Sequence, residues 1–65
     1  MSFEINTLVR LLEDIPSEGV CSGDLGVIVA VYSVPEEAYE VEFCDKEGVT
    51  VTQVPLTPLQ FKVCK

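Results

Sequence analysis

The sequence predicts an all-β fold, and three observations carry that expectation. Turn-forming residues recur at short intervals along the 65 residues, as they do in small antiparallel sheets. Ala38-Tyr39-Glu40-Val41-Glu42-Phe43 alternates between apolar and charged side chains, the period of a strand with one wet face. From Leu25 to Tyr32 the chain is rich in valine and apolar on both alternating faces, which reads as a central strand covered on both sides. A chain of this length makes one domain, residues 1–65, burying about 60% of the surface of its unfolded state.

The first strand is expected at Thr7 to Leu12. Ile5, Leu8, Val9 and Leu12 also recur at helical spacing, so a helix over Ile5 to Asp14 is its rival; the β character of the later segments favours the strand. Glu13 to Asp24, with Pro16, Gly19 and Gly23, is a long polar loop. Leu25 to Tyr32 is the second strand, where Gly26 lets another backbone approach closely. Ser33 to Glu37, with Pro35, is a turn, and Ala38 to Phe43 is the third strand with Tyr39, Val41 and Phe43 inward. Asp45-Lys46-Glu47-Gly48 forms a hairpin turn that places Gly48 at positive φ.

Val49 to Val54 is the fourth strand. An inward phase set by Val49 and Val51 reaches polar Gln53 while Val54 falls on the other face, which predicts a bulge. Pro55 is expected to end the ladder, Leu56 to Leu59 to form one 3₁₀ turn, and Gln60 to Cys64 to form the last strand. Five short strands, a long first loop and one 3₁₀ turn before the last strand have the layout of an SH3-like small barrel. The rival OB-fold usually needs more residues and a helix, for which the sequence offers no candidate after position 15.

Eleven Asp and Glu against four Lys and Arg give a net charge of -7, and His is absent. Nucleic-acid binders neutralise phosphates with clustered cations, whereas Arg10, Lys46, Lys62 and Lys65 are scattered along the chain. Direct DNA or RNA binding is therefore disfavoured, and so is an anionic membrane surface; a basic protein partner is favoured. The longest apolar run, Val27 to Tyr32, is far below the ~20 residues that span a bilayer. The N-terminus Met1-Ser2-Phe3-Glu4-Ile5-Asn6 has neither the basic region nor the apolar stretch of an export signal, which suggests the cytoplasm. A core this small is compatible with a homodimer.

The segments Leu11 to Val20, with Glu13-Asp14 and Pro16 ahead of Gly19, then Gly23-Asp24-Leu25-Gly26-Val27-Ile28-Val29 and Ala38 to Phe43 together resemble a bacterial family catalogued as domain of unknown function 4926. The resemblance spans most of the chain. It implies a stand-alone SH3-like β protein, common in cyanobacteria, with no assigned activity and no inherited catalytic residue. Cys21, Cys44 and Cys64 lie outside its signature. Gly23 to Val29 also resembles the core of the KOW motif of ribosomal and transcription proteins, without that motif's basic residues.

Acid–base catalysis without His leaves carboxylates and thiols. Glu40 and Glu42 share one strand face and fit a solvated, edge-protecting surface better than a catalytic pair. Three cysteines at wide spacing match neither a disulfide framework nor the close pairs of a zinc site. In an acidic chain they also lack the basic surroundings that activate a thiol; Cys21 reads as exposed, Cys44 and Cys64 as small half-buried residues. Asp45 to Gly48 lacks the repeated ligands of a calcium loop. Pro55-Leu56-Thr57-Pro58 reads as a strand stop and turn rather than a ligand motif. No catalytic residue, metal or cofactor is assigned.

The expectation is a non-catalytic interaction module whose loops meet another protein, since binding residues concentrate on loops held by a rigid scaffold. The candidate contacts are Glu13, Asp14, Ile15, Pro16, Glu18 and Val20 in the first loop, with Val34, Glu36 and Glu37 in the second. A narrower version makes the protein an antitoxin or inhibitor of a basic partner. The alternative class is KOW-like RNA or ribonucleoprotein binding.

Overall fold

A computed structural model describes residues 3–64; Met1 and Ser2 of the N-terminal segment and the cation Lys65 lie outside the described residues. The chain forms β1 (Leu8–Leu11), a 3₁₀ turn (Pro16–Glu18), β2 (Leu25–Tyr32), β3 (Ala38–Cys44), β4 (Thr50–Leu56) and β5 (Phe61–Val63). All pairings are antiparallel, in the order β4-β3-β2-β1-β5. The sheet is all-β as expected but is not closed, since β4 and β5 are its two edges.

One aromatic contact reveals how far the sheet curls. Tyr39 on β3 and Phe61 on β5 are separated by three strand intervals, about 14 Å in a flat sheet, yet their ring centroids are 5.7 Å apart and edge to face. Phe3 completes the cluster at 5.5 Å from each ring. Such offset and edge-on geometry suits the quadrupole of aromatic rings. The concave side encloses Val9, Leu11, Val20, Ile28, Tyr39, Val41, Phe43, Val54, Leu56 and Phe61.

β1 is a strand because Val9 and Leu11 are buried at period two while Leu8 and Arg10 face outward. The chain enters it through a turn at Asn6, whose φ is 75°, a left-handed conformation that Asn tolerates better than most residues. In β3, Tyr39, Val41 and Phe43 face the core as the alternation predicted. The next hairpin closes with the Gly48 N–H donating to Asp45 O at 3.0 Å, and Gly48 has φ 82°.

The expectation that β2 is covered on both faces does not hold. Leu25 is 45% and Tyr32 46% exposed, and among the described residues no second sheet or helix lies over the convex side of the single curled sheet. Pairing runs from Ile28 opposite Val41 to Ala30 opposite Glu40, so a bulge at Val29 bends the strand.

β4 also departs from its expected phase. Phe43 pairs with Thr52 and Cys44 with Thr50, so the predicted bulge falls at Val51. It hands the core phase to Val54 and Leu56 and leaves Val49 and Val51 61% and 52% exposed. Pro55 does not end the ladder; it lies within β4 opposite Glu40, which an edge strand tolerates because one side of its backbone has no partner. The 3₁₀ turn occupies Pro16–Glu18, where Pro16 presets the first helical φ. Before β5 the chain instead makes a turn in which the Gln60 N–H donates to Thr57 O at 3.0 Å.

Candidate interaction surface

The first loop is anchored by its apolar residues and exposes its acids. Ile15 and Val20 form a bridge, with the Ile15 N–H donating to Val20 O at 2.9 Å. Val20 is 3% exposed, and Ile15 packs half-buried against the core. Val20, expected among the partner contacts, packs mostly into the core and holds the loop down, and it also lines the groove between this loop and the β3–β4 hairpin. Between the two, Pro16–Glu18 projects outward and Gly19, at φ 75°, turns the chain back.

Each carboxylate of this loop accepts a hydrogen bond. Asp14 Oδ1 accepts the Ser22 N–H at 2.8 Å, and Asp24 Oδ2 accepts the Cys21 N–H at 2.9 Å. Glu13 Oε2 accepts from Gln60 Nε2 at 3.2 Å, and Glu18 Oε1 accepts from Thr52 Oγ1 at 2.8 Å. Glu13, Asp14, Pro16 and Glu18 remain exposed.

The second loop is elsewhere. It leaves the opposite end of β2, a strand of eight residues and so roughly 20–25 Å long at ~3.3 Å per residue. Val34 is 82% exposed there, and Glu36 is exposed as well. Glu37 accepts a hydrogen bond from the Tyr39 hydroxyl, whose oxygen accepts the Phe3 N–H at 3.2 Å. That hydrogen bond to Glu37 and burial push the Tyr39 phenol above its ordinary value, against the Phe3 N–H, which lowers it. The two predicted groups of contacts are not brought together.

A groove of about 350 Å³ opens between the first loop and the β3–β4 hairpin. Leu25, Phe43 and Val51 supply apolar wall, and Arg10, Lys46, Asp24 and Asp45 supply charge. Its walls are braced: Arg10 Nη1 donates to Gly23 O at 2.8 Å, and Asp45 Oδ1 accepts the Glu47 and Val49 N–H groups at 2.9 and 3.0 Å. Arg10, Leu25, Lys46 and Val51 were not among the candidate contacts expected from the sequence. The one signal available was the phase conflict in β4, since a bulge there must release one valine from the core.

Cys21 and Cys44 are exposed and Cys64 is partly buried, all three as free thiols; Cys44 is thus more open than expected. Among the described residues no group of three or more His, Cys, Asp or Glu is arranged to hold a metal ion, and no helix is long and apolar enough to cross a membrane.

Searches of curated proteins and of solved structures found no match. Residues 5–63 match the family described as a domain of unknown function (DUF4926), and the chain belongs to that family.

Proposed function

We propose that the chain is a non-catalytic interaction module, an SH3-like scaffold acting in the cytoplasm, that meets a basic protein partner through its first loop. The observation that carries the reading is the set of exposed carboxylates of Glu13, Asp14 and Glu18 on a loop pinned by the Ile15–Val20 bridge. Charges already held in place lose little freedom on binding, and complementary charge speeds encounter and sets specificity. The net charge of -7 supports a basic partner over nucleic acid. An inhibitor of a basic protein is the narrower form of the same idea. Val34, Glu36 and Glu37 would serve a separate contact, given their place at the far end of β2.

The test uses isosteric amides, which keep the hydrogen-bond acceptors and remove the charge. Glu13→Gln/Asp14→Asn/Glu18→Gln should weaken recovery of partners copurified from the native host. Glu36→Gln/Glu37→Gln should leave that recovery intact. Equal recovery by the first variant and the unmodified protein sinks the reading.

A further inference from the structure

We propose that the groove between the first loop and the β3–β4 hairpin receives an apolar side chain from an extended, Lys- or Arg-bearing segment of a partner protein, an inference that rests on the chain being an interaction module. The bulge is the starting point. Thr50 and Thr52 pair with β3 and Val51 does not, so Val51 leaves the core phase and becomes part of the groove wall. Bulges commonly re-aim a side chain beside a functional site. Val51 at 52% and Leu25 at 45% exposure give the groove two apolar side chains that the fold leaves uncovered.

The groove is also built in advance. The Thr52–Glu18 hydrogen bond of 2.8 Å ties the hairpin to the first loop across it. The braces at Asp24, Asp45 and Arg10 fix the backbone on both sides. Affinity gains when such ordering precedes binding. A volume of about 350 Å³ is near the lower end of ligand clefts, which suits one or two side chains of a chain segment.

Charge selects the occupant. The lining itself is balanced, with Arg10 and Lys46 against Asp24 and Asp45, so the selection comes from the chain as a whole: at a net charge of -7 it draws a cationic segment. A second copy, also at -7, is opposed by the same charge.

The test is an NMR titration of the ¹⁵N-labelled protein with three probes: a short peptide alternating Leu and Lys, its Leu and Glu counterpart, and a single-stranded RNA oligonucleotide. Amide shifts confined to Gly19–Leu25 and Cys44–Val51 with the Leu/Lys peptide, and none with the other two, are the expected result. Val51→Glu should weaken that peptide by about tenfold or more, as loss of a central apolar anchor does, although the added negative charge would by itself attract it. Val49→Glu puts the same charge on the same hairpin outside the groove and should keep the affinity. Shifts on another surface, a response to RNA, concentration-dependent shifts at these amides without any probe, or unchanged affinity in Val51→Glu would each overturn the proposal. Were the first-loop amide variant to lose its partner while Val51→Glu kept it, the groove assignment would fall and the loop reading would stand. The reverse pattern would remove the loop reading and leave the groove.

Discussion

A Cβ placed on Gly26 would lie 2.6 Å from Cγ1 of Val41 and 3.1 Å from the carbonyl oxygen of Glu42. Val41 is fully buried and branched at Cβ, so it cannot swing aside, and the Glu42 oxygen is backbone. Overpacking of this kind costs about 1–3 kcal/mol. Ala in place of Gly recovers only about 0.4–1 kcal/mol through the unfolded chain. Gly26→Ala should therefore lower the thermal midpoint by several degrees, taking roughly 4–8 °C per kcal/mol at this size. A midpoint that stayed level or rose would mean that β2 and β3 are not in this register.

Val51 and Val54 are three residues apart, of the same type, and predicted to differ sharply. Val54 is 7% exposed opposite Val41, and Val51 sits on the bulge. Val54→Ala removes two buried methyl groups and leaves a space, a loss of about 2 kcal/mol. Val51→Ala should fall within about 0.5 kcal/mol of the parent. Urea titration of both variants checks the bulge position, and equal losses would place it elsewhere.

The same strand shows where the sequence is readable. β3 was legible because Tyr39, Glu40, Val41, Glu42 and Phe43 alternate without interruption, so only one phase buries the aromatics. The conflict between Gln53 and Val54 announced a bulge in β4, but its place at Val51 depends on the pairing with Phe43 and Cys44. Pro55 read as a stop because its tolerance depends on β4 being an edge, a property of strand order and not of local sequence. β2 was apolar on both alternating faces, so it could not report that one side is wet. In the first loop the exposed acids were legible from polarity alone. Val20 was not, since its burial follows from the bridge to Ile15, and the groove joins residues from Arg10 to Val51 that only the topology makes neighbours.

Tyr39 gives the fold an alkaline weakness. Its hydroxyl donates to Glu37 and lies buried beside it, which raises the phenol above the ordinary value of about 10. Because the folded protein holds this proton more tightly than the unfolded chain, the contribution is complete below pH about 10 and is lost as pH rises through the folded value. Stability measured at rising pH should fall above about 10, and Tyr39→Phe should flatten that part of the curve. Phenolate absorbance should show a late-ionising fraction that Tyr39→Phe removes. Identical alkaline profiles for the two proteins would rule out the Tyr39–Glu37 bond as the cause.

The Glu18–Thr52 hydrogen bond joins the first loop to β4 across 34 residues of sequence, and it is exposed. Exposed side-chain hydrogen bonds contribute little to global stability because water replaces either partner, so Thr52→Val should change the unfolding free energy by less than about 1 kcal/mol. Local order is a different matter. The 3₁₀ turn is only three residues long with no buried side chain, so its position against the hairpin depends on few contacts. Removing one of them should accelerate amide exchange at Glu18 and Gly19, whose N–H groups close that turn at 3.0 and 3.1 Å, while amides of β2 and β3 keep their protection. Glu18→Gln, which retains an acceptor oxygen, should leave exchange near the parent rate. If Thr52→Val changed neither amide, the loop would owe its position to its other ties, the Ile15–Val20 bridge among them, and the groove beside it would not depend on the Thr52 contact for its shape.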